Sequence, residues 1–150
     1  MLLPTDQSPW RLEWSEELSV RIPEIDAEHQ QFIHLINELN EAIIGRMDVE
    51  EIRKRMQSLL DDAVKHFAHE EVLFREWGYP EADEHAIKHA QAVQVLSEIM
   101  GHFERGGVDY EWIEAGLKVK EALIRHMLNE DMKYRYYLDT TGGQAGLLKK

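Results

Sequence analysis

Apolar residues recur at intervals of three and four along four long stretches of this chain, the pattern of amphipathic helices, and a period-two pattern occurs only near the N-terminus. From Asp26, read as an N-cap, Phe32, Ile33, Leu35, Ile36, Leu39, Ile43 and Ile44 mark a first helix that stops at Gly45. After a turn at Met47-Asp48, Ile52, Met56, Leu59, Leu60, Ala63, Val64, Phe67 and Leu73 share one stripe. They predict a long second helix over 49–76, stopped by Trp77-Gly78-Tyr79-Pro80. A third runs from Glu81 through Ile87, Ala90, Val93, Leu96 and Met100 to Phe103, where Arg105-Gly106-Gly107 breaks it. A fourth starts near Asp109 and carries Trp112, Ile113, Leu117, Val119, Leu123, Ile124 and Met127. No strand pattern or internal repeat competes, so the prediction is an all-α, up-down-up-down four-helix bundle over 25–139.

The flanks read differently. Pro4, Pro9 and Pro23 each deprive a helix of a backbone donor, which predicts an extended arm over residues 1–24. Trp10, Leu12, Trp14, Leu18, Val20 and Ile22 are mostly alternate positions, so the arm is expected to lay its apolar side on the bundle. From Thr140 on, Gly142, Gly143 and Gly146 predict a flexible tail over 140–150.

Composition narrows the function. The 17 Lys+Arg against 29 Asp+Glu give a net charge of -12, which repels a phosphate backbone and argues against nucleic acid as a partner. No run approaches the apolar length that a bilayer needs, so membrane insertion is not expected. The first residues lack both a basic segment and an apolar segment, so no secretory signal is expected and the cytoplasm is the expected location. With no cysteine, any metal must be held by His, Asp or Glu.

Eight histidines supply the candidate chemistry. His85 and His89 are four apart, as are His66 and Glu70, and residues four apart share a helix face. Each motif alone is weak, since about 0.4 His-x3-His pairs would arise by chance from such a composition. Joint placement says more: His29 lies on the first helix, His66 and Glu70 on the second, His85 and His89 on the third, and His126 and Asp131 on the fourth. Phe32, Phe67 and Met127 stand one or three residues from these histidines, which turns the imidazoles toward the bundle interior.

The stretches Ile25-Asp26-Ala27-Glu28-His29, His66-Phe67-Ala68-His69-Glu70-Glu71, Gly78-Tyr79-Pro80 leading to His85-x3-His89, and His126-x4-Asp131 followed by Lys133-Tyr134 resemble the hemerythrin-like proteins of the bacterial single-domain type. The resemblance covers roughly residues 14–138. It implies that His85, His89 and His126 hold one iron, that His29 and His66 hold the other, and that Glu70 and Asp131 bridge two irons joined further by an oxo or hydroxo group. Ala92, where an aromatic is common, and Met127, where a branched aliphatic is more usual, depart from the pattern and bear on pocket shape.

On that ligand set, five imidazole nitrogens, four carboxylate oxygens and a bridging oxygen counted twice fill about 11 of the 12 positions of two octahedra. The open position falls on the two-histidine iron, where O2 could bind, with Phe32, Phe67, Leu123 and Met127 as the expected lining. Neutral imidazoles favour reversibility, whereas bundle sites with four glutamates and two histidines favour oxidation chemistry. The expected function is therefore reversible O2 binding for storage, delivery or scavenging, and not enzymatic catalysis. An O2, redox or nitric-oxide sensing module and a di-iron oxidase or peroxidase are the alternatives. Zinc would leave part of the set idle, and manganese or cobalt could substitute in a recombinant preparation.

His34, His69 and His102 match no ligand position and are expected to face solvent or support the ligands from outside, while Glu71 points about 100° away from Glu70, toward an expected solvated face. One spacing conflicts with a regular helix: side chains five apart, such as His126 and Asp131, diverge by roughly 140°. Either the turn between them loosens toward i→i+5 bonding, or Asp131 reaches across from near the helix end.

Overall fold

The computed structural model describes residues 11–105 and 109–140, with side chains over 11–101 and 111–140. The first helix, α1 (Pro23–Ile44), opens on a proline, which gives up only an amide that has no partner in the first turn. It thus begins before Asp26, the expected cap. Asp26 instead ties the arm to the helix by accepting from the Ser19 hydroxyl at 2.6 Å and the Val20 amide at 2.8 Å. Helix α2 (Val49–Trp77) starts where Asp48 accepts from the Glu51 amide at 2.9 Å and ends at Gly78, whose φ of 65° suits a residue without a Cβ. Helices α3 (Ala82–Arg105) and α4 (Asp109–Arg125) follow, and α4 runs through a π-helical turn (His126–Asp131) into α5 (Met132–Thr140).

Helix α1 packs on α2, α2 on α3, α3 on α4 and α4 back on α1, the cyclic order of a four-helix bundle with short connections. Ahead of it, Leu12 exchanges both backbone hydrogen bonds with the Asn37 side chain, at 2.9 and 2.8 Å. Leu18, Val20 and Ile22 are buried. Residues 1–10 of the arm and 141–150 of the expected tail lie outside the described residues.

The interior holds two apolar clusters. One spans Phe32, Ile36, Leu39, Met56, Leu59, Leu96, Val119 and Leu123, and the other gathers Val20, Ile25, Phe74, Tyr79, Tyr134 and Leu138 at the far end. The buried histidines together with Glu70 and Asp131 lie between the two clusters. Several expected core positions are outside: Ile44, Val64, Ile87 and Ile113 are 36–56% exposed, and Ala90 is exposed. A bundle helix buries a stripe of limited width, and these residues fall at its margins.

Helices α1 and α4 approach closely at Gly116, where an added Cβ would meet Asn40 Oδ1 at 2.1 Å. Asn40 is buried and donates to the Ile36 carbonyl at 3.2 Å, so it has little room to yield. Gly116→Ala is expected to destabilise the fold by about 1–3 kcal/mol despite the better helix propensity of alanine, read as a lower urea midpoint.

Candidate metal centre

All seven expected ligands are buried, and their donor atoms converge. His66 and Glu70 on α2, and His85 and His89 on α3, arrive by the one-turn spacing. His29 projects from α1 between Ile25 and Phe32, both also buried. His126 and Asp131 open and close the π turn, where i→i+5 bonding lets residues five apart share a face as residues four apart do in an α-helix. Of the two expected solutions, the fold adopts the loosened turn.

The donors sort into two overlapping groups, Glu70, His85, His89, His126 and Asp131 in one, and His29, His66, Glu70 and Asp131 in the other. Glu70 and Asp131 belong to both. Asp131 Oδ1 stands 3.1 Å from His85 Nε2 and 3.2 Å from His126 Nε2, and Oδ2 stands 3.1 Å from His29 Nε2. These are hydrogen-bond distances without hydrogen-bond angles: neither oxygen of this fully buried carboxylate has a partner of proper geometry. The Nε2 atoms of His29 and His66 lie 3.1 Å apart, and those of His85 and His126 3.3 Å. Nitrogen and oxygen donors crowded this closely in a buried space, with both Asp131 oxygens unpartnered, suit metal binding.

Residues outside this set orient it. His66 Nδ1 donates to Glu28 Oε1 at 2.6 Å, and His69 Nδ1 donates to the other oxygen of Glu28 at 2.8 Å. His89 Nδ1 donates to Glu71 Oε2 at 2.8 Å. The bonds to His66 and His89 turn the opposite nitrogen, Nε2, toward the centre, while His69 lies outside the donor set and holds the second oxygen of Glu28. Tyr134, fully buried, donates its hydroxyl to Glu70 Oε2 at 2.6 Å. The solvated face expected for Glu71 is thus corrected: the rotation away from Glu70 carries it to the α2–α3 seam, half-buried against His89. Of the other histidines, His34 is exposed and pairs with Glu38 at 3.2 Å, and His102 lies outside the described side chains.

The sequence held a signal for these supports. Every ligating imidazole needs an acceptor for its second nitrogen, and Glu28 and Glu71 each adjoin a ligand position. Glu71→Gln is expected to weaken metal binding about 10- to 100-fold in chelator competition, with little change in the melting of the metal-free protein.

When metal is absent, protons are held at two of the donors, His66 and His126. Burial alone would discharge His66, but Glu70, Glu28 and Asp131 outweigh it and raise its pKa to about 10. His126 is likewise disfavoured by burial and raised by Asp131. Burial pushes Glu70 and Asp131 up, Glu70 further through the charge of Asp131, and the surrounding histidines bring both well below the usual carboxylate range. The raised histidines stabilise the metal-free fold fully below about pH 6.5, and this is lost as pH rises through their folded values. The lowered carboxylates stabilise it above about pH 4, and this is lost as pH falls through theirs. The metal-free protein should therefore melt no lower at pH 5.5 than at pH 7.5, whereas metal-loaded protein should lose metal and stability over the same descent, because protons compete for the imidazoles. Parallel calorimetric profiles for the two forms would contradict this.

Phe32, Phe67, Leu123 and Met127, the expected pocket lining, are all buried. Phe32 stands edge-on to His66 with ring centroids 4.9 Å apart. Phe67 stacks on His89 at 4.1 Å and lies 5.2 Å from His126, so it covers the three-histidine side as well.

Comparison with known proteins places this geometry. Residues 20–138 match the family described as Hemerythrin HHE cation binding domain. The chain is 29% identical over 127 residues to a bacteriohemerythrin of Pseudomonas aeruginosa, covering 82% of this chain and 78% of that protein. It is 25% identical over 119 residues to a bacteriohemerythrin of Methylococcus capsulatus, covering 79% and 88%. A hemerythrin-like protein of Naegleria gruberi is 27% identical over 127 residues, covering 85% and 93%. A family match over most of the chain, joined to a helical bundle with His, Glu and Asp donors drawn from α1, α2, α3 and the π turn, establishes that the chain belongs to the hemerythrin HHE cation-binding family.

Proposed function

We propose that this chain binds O2 reversibly at a non-haem di-iron centre and serves in the cytoplasm to store, deliver or scavenge oxygen, as a carrier and not an enzyme. His85, His89 and His126 would hold one iron, His29 and His66 the other, with Glu70 and Asp131 shared. The observation that carries this reading is the division of the seven donors into two groups with both carboxylates in common. Two ferrous ions would supply the electrons that O2 takes up on binding and returns on release.

The chain's own residues supply the rest. Five imidazoles without thiolates, and only two carboxylates within the set, keep the donors less anionic than an oxidase would want. Phe32, Phe67, Leu123 and Met127 keep water from the centre, which disfavours proton-coupled loss of reduced oxygen. Tyr134 is the phenol bonded to the shared Glu70 carboxylate, and burial together with the charge of Glu70 raises its pKa well above 10, so its proton stays with the Glu70 hydrogen bond. No helix among the described residues is long and apolar enough to cross a membrane.

The test is an anaerobic, ferrous sample exposed to air and then degassed. Absorption bands that rise with air and fade on degassing, in protein carrying two irons per chain, are the expected result. Lasting conversion to the ferric form with release of hydrogen peroxide would overturn the carrier reading, and stoichiometric zinc or a single metal after growth in sufficient iron would overturn the di-iron centre.

A further inference from the structure

The seven donors are all buried, so an ion can reach them only through the wall of the bundle. Among the described residues, two surface openings that touch the set stand out. A groove of about 460 Å³ between α2 and α3 reaches His89 past Val64, Phe67, Ala68 and Val93. Its surface is largely apolar, and a hydrated cation would shed water there with little to replace it. A smaller cleft of about 180 Å³, between the start of α3 and the π turn, reaches His85 past Tyr79, Glu81, Glu84 and Glu130, with Lys88 and Lys133 also lining it.

Tyr79 distinguishes this cleft from an ordinary patch of surface acids. The residue is 5% exposed, and its hydroxyl is buried without a hydrogen-bond partner. Burial and the charges of Glu81, Glu130, Asp131 and Glu84 keep the phenol protonated, so it offers a neutral oxygen and an unused proton. Lys133 pairs with Glu130 at 3.3 Å, which leaves Lys88 and the positive end of α3 to oppose a cation. With that pair cancelled, Glu81 and Glu84 against Lys88 leave a modest negative balance, and Glu130 still offers oxygens, so the cleft attracts a divalent ion without trapping it. His85 then joins cleft to centre, since it lines the cleft while its Nε2 stands 3.1 Å from Asp131.

We propose that this cleft is the inlet through which the centre is loaded: Glu81, Glu84 and Glu130 hold a hydrated divalent cation beside the Tyr79 hydroxyl, and His85 passes it inward. The inference rests on the di-metal reading above. It concerns the rate of loading, not the final affinity, because none of the three carboxylates belongs to the converging donor set.

Metal-free full-length protein mixed with Co²⁺ at low ionic strength tests it, with uptake followed by visible absorption and the final content by elemental analysis. The Glu81→Gln, Glu84→Gln, Glu130→Gln triple variant should load at least about 10-fold more slowly and still reach the wild-type content, with the difference shrinking as salt is added. Lys88→Gln, a single exposed change, should load faster, and Tyr79→Phe more slowly. A control triple of exposed acids elsewhere, Glu16→Gln, Glu98→Gln and Glu114→Gln, should load within twofold of wild type. Loading of the cleft triple at the control rate, or an unchanged rate for Lys88→Gln should the triple fail to fold, overturns the inlet. So does a reduced final content at unchanged rate, which would make these acids holding groups. Wild-type protein that takes up no cobalt overturns the inlet and the di-metal reading together, whereas wild type that fills while the variants keep pace overturns the inlet alone.

Discussion

Replacing Asp131 with alanine should empty the centre of both metals and, in the metal-free protein as well, lower the melting temperature by about 10 °C. Asp131 is fully buried and belongs to both donor groups, so on the di-metal reading proposed above its loss would remove a ligand from each ion at once. The metal-free effect has a separate cause. His126 is held protonated chiefly against burial by the Asp131 charge, and His29 and His85 stand 3.1 Å from the same carboxylate. Removing one member of a buried charge cluster strands the others, at about 3–5 kcal/mol, a large part of a typical domain's 5–15 kcal/mol. Asp131→Asn keeps the shape and a carbonyl oxygen, so it should lose metal while recovering part of the melting loss. An alanine variant that retains both metals and melts with the wild type would remove Asp131 from the site.

That dependence was legible in the sequence only as far as local rules reached. Helix α2 was predicted over 49–76 and runs Val49–Trp77, because Asp48 and Gly78 are strong end signals whose geometry is local. The start of α1 is not legible locally, since Pro23 can close an arm or open a helix equally well, and the contact of Asp26 with Ser19 and Val20 decides the matter. Ile87 fits the apolar periodicity of α3 yet is 56% exposed, because a stripe read from one helix says nothing of how much of it the neighbours cover. The seven expected ligands were legible for the opposite reason: imidazoles and carboxylates on the core face of every helix conflict with burial unless something joins them. Glu28 and Glu71 were not, because an acid beside a ligand position is usually solvated, and only the width of the helix seams shows which nitrogen it meets.

Metal binding should slow amide exchange in the π turn, His126–Asp131, about 1000-fold at free metal near a thousand times the dissociation constant, and change exchange in the middle of α2 far less. The spacing of His126 and Asp131 forces the wider turn, and that turn gives up regular α-helical bonding to bring both side chains to one face. In the metal-free chain the bend is held by contacts around protonated histidines and by Tyr134 reaching Glu70 at 2.6 Å just beyond it. Leu128 and Asn129, on its outer side, are exposed and anchor nothing. Local opening there needs only the π turn and α5 to loosen, whereas opening the middle of α2 breaks the core around Met56, Leu59 and Ala63. On the proposed ligand set, metal would add bonds at both ends of the turn, so local opening would first have to release the ion, and exchange would fall to the rate of that release or of global unfolding. Equal protection of the turn with and without metal would mean that Asp131 does not ligate, and that the widened turn serves packing of Tyr134 and Leu138 alone.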